Sequence, residues 1–311
     1  MERIQMQAPG VSLDACGRRP KRATCRCCLD NFAHPFSPTV ANCDGGDRGI
    51  SREITIHLLN SVGGSAMTET GRLLGSGKEA EVFEYGALAL KLYRRAASKA
   101  SSFREAANLS ILERLALPTP KVHAVGEFDG RWGVLMDRAP ISCFADQFVS
   151  TAGRAPLEDM AQLHRSIHEK PGDGLPSLMG RLSARIRRAE GLDPASRKRL
   201  LLELDSLPDG DRVCHGDFHP WNIHGSGQGF MIVDWLDACC GNPLADVCRT
   251  YLLLHHAVPD RAMGYVEAYA SVTGSEVGSI LAWLPAIAAA RLTEGVANEN
   301  DELLRLAGLS P

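Results

Sequence analysis

No segment of this 311-residue chain is apolar for long enough to cross a bilayer. The longest apolar run, residues 280–290, contains Pro285 and falls far short of the roughly 20 residues a spanning helix needs. The amino-terminal residues are basic in places but have no apolar core of the kind a signal peptide carries, so a cytoplasmic location is expected. Charge of one sign is also scarce. A formal net charge of −3 gives no general attraction to nucleic acid or to an anionic membrane. Regular cysteine pairing is missing as well. Cys25, Cys27 and Cys28, with His34 nearby, lack the second matched pair that a zinc site of the Cys-x₂₋₄-Cys kind requires. Free thiols are the expectation there, and buried small apolar side chains are expected for Cys214, Cys239, Cys240 and Cys248.

What remains is the composition of an ordinary folded protein, 44% hydrophobic and 23% charged, long enough for one two-lobed domain or two smaller ones. Residues 1–66 differ from the rest. They are rich in Gly, Pro, Arg, Cys and Asp with little periodicity, and they predict a poorly ordered extension. Regular patterning begins near Met67, which makes Met67 a candidate natural start.

Beyond it, short strands and turns are expected to Tyr93, where Ala87, Ala89, Lys91 and Tyr93 alternate with Leu88, Leu90 and Leu92. A helix follows, with Phe103, Ala107, Ile111 and Leu115 recurring every four residues and Glu105, Leu109 and Leu112 on an adjoining stripe. Two strands, 122–128 and 132–136, are joined by the Asp129-Gly130 turn. Past Asp137 the pattern is mainly helical, over about 156–170, 178–190, 194–206, 244–257, 260–273 and 276–306. No internal repeat is present.

The chemistry is concentrated in 213–223, Val-Cys-His-Gly-Asp-Phe-His-Pro-Trp-Asn-Ile. Asp217 stands five residues before Asn222 with Pro220 stiffening the loop between them, and the apolar run 230–233 then delivers Asp234. One carboxylate to orient a hydroxyl, with an Asn/Asp pair to hold Mg²⁺ on ATP, is the equipment of phosphoryl transfer. Gly75 and Gly77 lie in a turn ahead of Val82 that could pass closely over phosphates, although no Gly-Lys-Ser/Thr closes it as a Walker A loop would. Lys91, inside an apolar strand, needs a partner, and phosphate oxygens plus a helix carboxylate would supply one. An edge-strand lysine in solvent is the plainer alternative. Glu105 is the first candidate for the carboxylate and Glu113 the second. Ala89, on the same strand face, leaves room for a flat ring.

From about Arg72 onward these residues resemble the aminoglycoside phosphotransferase family of small-molecule kinases. The likeness rests on His215-Gly216-Asp217-Phe218-His219-Pro220-Trp221-Asn222, on Ile232-Val233-Asp234-Trp235, and on Ala238, Gly241, Pro243, Asp246, Lys91 and the glycine loop. It implies an α+β, protein-kinase-like fold: a small β-rich nucleotide-binding lobe (67–138) and a larger helical lobe (139–311) with the catalytic loop and acceptor site. It implies Asp217 as the catalytic base or the carboxylate that orients the nucleophile, Asn222 and Asp234 on Mg²⁺, and Lys91 on the α- and β-phosphates, positioned by Glu105. Gly75, Gly77, Val82 and Ala89 would enclose the nucleotide, and Asp137 to Ala139 would meet the adenine through backbone groups. Asp246 would brace the catalytic loop, and His215 and His219 would shape it rather than bind metal. The partner it implies is a small hydroxylated acceptor, and neither nucleic acid nor a membrane is expected.

Departures inform too. Gly216 stands where protein kinases carry an arginine between His and Asp, Trp235-Leu236 replaces Phe-Gly, and no Ala-Pro-Glu segment follows, so activation-loop switching is not expected. Ala80 replaces a third loop glycine. Residues beyond 66 include 26 basic and 31 acidic side chains. Glu294, Glu299, Asp301 and Glu302 could form an acidic wall for a polyamine sugar or choline-like cation, or simply a solvated helix face. A protein or peptide kinase and a catalytically inactive nucleotide-binding scaffold stay as alternatives.

Overall fold

The computed structural model describes residues 70–309 apart from 95–97, 152 and 228; the amino-terminal extension and Met67 lie outside the described residues. Strands β1 (Leu73–Ser76), β2 (Ala80–Tyr85), β3 (Leu88–Tyr93), β4 (Val122–Phe128) and β5 (Arg131–Asp137) form an antiparallel sheet in the order β1-β2-β3-β5-β4. The turn between β4 and β5 has positive φ at both Asp129 and Gly130, the geometry that matches the twist of a tight hairpin. Alternation along β3 sends Leu90 and Leu92 into a cluster with Leu135 on one face of the sheet. The other face carries Lys91, which pairs in register with Val134, toward helix α1 (Ser98–Glu113).

That helix is rotated relative to the expected one. Phe103 and Ala107 are exposed, and the adjoining stripe of Glu105, Leu109 and Leu112 is buried, together with Ser102 and Asn108. Glu105 meets Lys91 and Asn108 meets the Trp235 carbonyl, while the Ser102 hydroxyl donates to the Lys99 carbonyl within the helix.

The second lobe is helical: α2 (Phe144–Ser150), α3 (Ala155–His168), α4 (Leu178–Arg188), α5 (Pro194–Ser206), α6 (Pro243–Ala257), α7 (Pro259–Thr273), α8 (Val277–Leu281), α9 (Leu284–Arg291) and α10 (Asn300–Leu306). Local sequence sets several starts. Ser177, Asp193 and Asn242 cap α4, α5 and α6 by accepting backbone N–H bonds, and proline opens α5 and α6. The expected continuous helix 276–306 is instead broken, with Pro285 in the first turn of α9 and Gly295 at φ 64° ending the turn that follows it. None of the described helices is long and apolar enough to cross a membrane. The core centres on buried Trp235, Trp283, Tyr265, Phe148 and Phe218. Two small antiparallel strand pairs complete the second lobe: β6 (Arg212–Cys214) with β9 (Cys239–Gly241), and β7 (Ile223–His224) with β8 (Met231–Ile232).

Candidate active site

The loop 215–222 leaves β6 and is anchored from below by Asp246 in the first turn of α6. Its carboxylate accepts the backbone N–H of His215 at 2.6 Å and of Gly216 at 2.8 Å. It also accepts Nε2–H of His164 at 3.0 Å and of His168 at 3.2 Å, both from α3. Burial opposes the charge on Asp246, but these two histidines hold its carboxyl well below the usual carboxylate range. Burial and the neighbouring His168 push His164 down to about 3, so it is neutral at physiological pH. The two Nδ1 atoms meet Tyr265 Oη at 2.5 Å and Tyr269 Oη at 2.7 Å. His164, His168 and Asp246 are close enough together to hold a metal ion. With both carboxylate oxygens and all four ring nitrogens already engaged, the trio acts as a closed hydrogen-bonded brace.

Gly216 has φ 81°, and a Cβ there would run into the carbonyl oxygen of Asp237 and lie 2.6 Å from Arg181 Nη2. Only glycine satisfies both the backbone conformation and the space. His215 donates from Nε2 to the Val233 carbonyl at 3.1 Å and accepts the Asp217 N–H on Nδ1 at 3.2 Å, which assigns its tautomer. The loop thus presents the Asp217 side chain, with Oδ1 3.3 Å from Arg249 Nη2 and Oδ2 3.5 Å from His219 Nε2. Burial would raise the Asp217 carboxyl; His219, Arg249 and His215 outweigh it and hold the group far below its ordinary value. Asn222 donates from Nδ2 to the Asp217 carbonyl at 2.9 Å, which turns its Oδ1 away from that bond.

Asp234 has φ 64°, an uncommon left-handed conformation for a residue with a Cβ. The segment is steadied by Asn108 of α1, whose Nδ2 donates to the Trp235 carbonyl at 2.9 Å. Trp235 itself donates its indole N–H to the Ile232 carbonyl at 2.8 Å. From the sheet, Lys91 Nζ reaches Asp234 Oδ1 at 2.9 Å and Glu105 Oε1 at 2.8 Å. Burial by itself would lower Lys91, but Asp234 and Glu105 raise it well above its usual value, so it stays a cation. The Tyr93 hydroxyl donates to the other oxygen of Glu105. Glu113, the second candidate, is used elsewhere: it accepts the Val122 N–H at 2.8 Å.

Val82 lies opposite Lys91 and opposite Gly75 in the β2 pairings, and Ala89 is buried across from Met136. Neither packing nor φ demands glycine at 75 or 77, since a Cβ at Gly75 meets nothing within 4 Å and one at Gly77 only Ala80 O at 3.7 Å. Asp137 ends β5 with its carboxylate on His123 at 2.7 Å and on the Lys121 N–H at 3.2 Å. Ala139 follows it into the connection between the lobes, half-buried.

Several participants carried no readable signal in the sequence. Arg249 of α6, Arg185 of α4 and Arg291 of α9 converge on Glu294, with closest contacts of 2.9, 3.2 and 2.8 Å. Arg291 also binds Glu299 at 2.5 and 2.8 Å. Arg181 and Arg185 hold Asp237, the latter at 2.9 Å. Glu294 and Glu299 therefore belong to an internal ion-pair network, neither an unpaired acidic wall nor a solvated face. Glu302 lies outside that network and pairs with Arg305 and His255, and Asp301 is exposed.

A sheet with a lysine–glutamate pair, over a helical lobe whose loop presents an aspartate and an asparagine, defines a protein of kinase-like architecture. The phosphotransferase enzyme family matches residues 70–284, and the chain belongs to that family. A curated aminoglycoside 3'-phosphotransferase of Streptomyces fradiae is 33% identical over 136 residues, covering 38% of this chain. The chain spans about half, 51%, of that relative's length. Among solved structures, a thermostable mutant of aminoglycoside phosphotransferase APH(4)-Ia superposes with a TM-score of 0.56 at 18% identity, over 76% of this chain and 91% of that one. A further structure of that enzyme holds AMP-PNP and hygromycin B. A chain of Haemophilus somnus 129PT, provisionally named a fructosamine-3-kinase, superposes with a TM-score of 0.58 at 14% identity, over 82% and 95% of the two chains. At these identities the structural likeness establishes the two-lobed α+β fold.

Proposed function

We propose that this protein transfers the γ-phosphoryl group of ATP to a hydroxyl of a small molecule. The observation that carries the reading is the meeting of Lys91 with both Glu105 and Asp234, at 2.8 and 2.9 Å, beside a loop braced to present Asp217 and Asn222. The lobe 67–138 holds the nucleotide: Gly75, Gly77 and Val82 over the phosphates, Ala89 against the base, and the backbone of Asp137 to Ala139 along the adenine edge. The lobe 139–311 supplies the catalytic loop and the acceptor site. Lys91, kept cationic by its two carboxylates, neutralises the α- and β-phosphates.

The donor set fits a hard divalent cation. Asn222 has its amide nitrogen engaged, which leaves Oδ1, and Asp234 uses one carboxylate oxygen on Lys91 while its side chain stays 45% exposed. Asn222 and Asp234 would hold Mg²⁺, which when bound neutralises charge on the phosphates. Asp217 orients the acceptor hydroxyl and takes its proton late, so a carboxyl of depressed pKa suffices. The loose transition state asks for little covalent help, and the site's contribution is positioning and charge. Nucleotide and aminoglycoside complexes of a structural relative support the substrate classes.

The test is ADP release with Mg²⁺–ATP across a panel of hydroxylated acceptors, with mass detection of the phosphorylated product. Transfer to a small molecule supports the reading. Transfer only to peptide serine or threonine replaces it with a protein kinase. Nucleotide binding without ADP release on any acceptor replaces it with an inactive scaffold.

A further inference from the structure

The glycine loop and the catalytic loop meet the same turn. Lys78, in the turn between β1 and β2, donates from Nζ to the backbone carbonyl of Glu294, 216 residues away in sequence and on the opposite side of the cleft. The Glu294 carboxylate in turn holds Arg249 at 2.9 Å, along with Arg185 and Arg291. Arg249 straddles the catalytic loop, with Nε donating to the Gly216 carbonyl at 3.3 Å and Nη2 3.3 Å from Asp217 Oδ1. A continuous line of contacts thus runs from the phosphate-covering loop, through Glu294 and Arg249, to the carboxylate assigned to the acceptor hydroxyl.

We infer that Glu294 is a positioning residue for phosphoryl transfer, sharing Arg249 with Asp217 and so holding it partly off the Asp217 carboxylate, and latching the glycine loop through its carbonyl. The inference rests on the kinase reading above. Arg249 is 9% exposed, so its charge is screened mainly by the carboxylates beside it. With Glu294 in place, Arg249 is shared between two carboxylates. Without that charge, Arg249 is drawn fully onto Asp217 and competes with the acceptor hydroxyl for Oδ1. The latch makes the other half of the argument: closure of the loop over the nucleotide depends on a hydrogen bond to the very turn that sets Asp217.

Two variants separate the halves. Glu294→Gln keeps the shape and the carbonyl that receives Lys78 but removes the charge. Its kcat for Mg²⁺–ATP turnover, normalised to the nucleotide-binding stoichiometry from calorimetry, is expected to fall at least tenfold, with the KM for ATP within twofold of wild type. Lys78→Met, on an exposed loop where folding is not at risk, is expected to raise the KM for ATP at least fivefold, with kcat within about twofold. A merely structural role for the turn would lower the binding stoichiometry and the melting temperature without dividing the two parameters this way. Water serves as acceptor where no better one is known, with ADP release as readout. Wild-type turnover with an unchanged normalised kcat in Glu294→Gln, or an unchanged KM in Lys78→Met, overturns the inference alone. Absence of Mg²⁺-dependent nucleotide binding and turnover in the wild type removes the kinase reading beneath it.

Discussion

Acidification should destabilise the helical lobe through a histidine that never touches substrate. His164 is fully buried, and its pKa is pushed down from 6.5 to about 3 by burial and by His168, against the pull of Asp246. A base whose folded pKa is depressed binds more protons when unfolded, so stability rises with pH between the two values. Its contribution is complete above about pH 6.5 and is lost as pH falls toward 3. The full difference of roughly 3.5 pH units corresponds to about 5 kcal/mol, of which about 3 kcal/mol is lost by pH 4.5. Asp246 and His215, whose folded pKa values are also depressed, push in the same direction. Urea unfolding followed by the fluorescence of buried Trp235 and Trp283 reports on this lobe. The informative comparison is with His164→Gln, whose amide can still donate to Asp246 but does not titrate. The variant should be less stable at pH 8, yet its loss between pH 8 and pH 4.5 should be smaller than wild type by about 3 kcal/mol. Equal losses in the two proteins would refute the assignment of His164 as the buried neutral brace.

Other predictions follow from single contacts. Gly216→Ala combines a left-handed φ with a Cβ aimed at the Asp237 carbonyl, and should cost on the order of 3 kcal/mol, read as a lower melting temperature and a loss of turnover. An unchanged melting temperature would contradict the loop geometry. Lys91→Met removes the cation shared by Glu105 and Asp234 and should weaken Mg²⁺–ATP binding at least tenfold by calorimetry. Because Glu294 and Glu299 are engaged by arginines, a polycationic acceptor should gain little from Coulomb attraction. Its KM should change less than about threefold between 50 and 300 mM salt, and a steep rise would show free carboxylates at the acceptor site.

Much of the candidate site's arrangement was legible because its residues are grouped at short range. Asp217 and Asn222 share one loop, Asp234 ends the next apolar run, and Lys91 is conspicuous as a charge within a leucine-rich strand. Glu105 was legible as its partner because a helix follows the strand directly. The supporting residues were not legible. His164, His168 and Arg249 act on the loop 215–222 from helices remote in sequence, and an arginine or histidine on an amphipathic helix gives no sign of which way it points. The face of α1 was misjudged for a related reason: Glu105 and Asn108 are polar yet buried, because that face meets Lys91 and the Trp235 carbonyl as well as apolar neighbours. The acidic residues near the end were visible as a cluster, but their neutralisation by Arg185, Arg249 and Arg291 depends on tertiary packing.

The central claim is that Asp217 serves the transfer step and not nucleotide binding. Asp217→Asn is nearly isosteric and leaves the Asp217 backbone contacts to His215 and Asn222 available. Wild type and variant should bind Mg²⁺–ATP with affinities within about threefold, while Mg²⁺-dependent ADP release, with transfer of phosphate to a hydroxyl acceptor, falls by at least a hundredfold in the variant. Equal transfer by the two proteins would contradict the account.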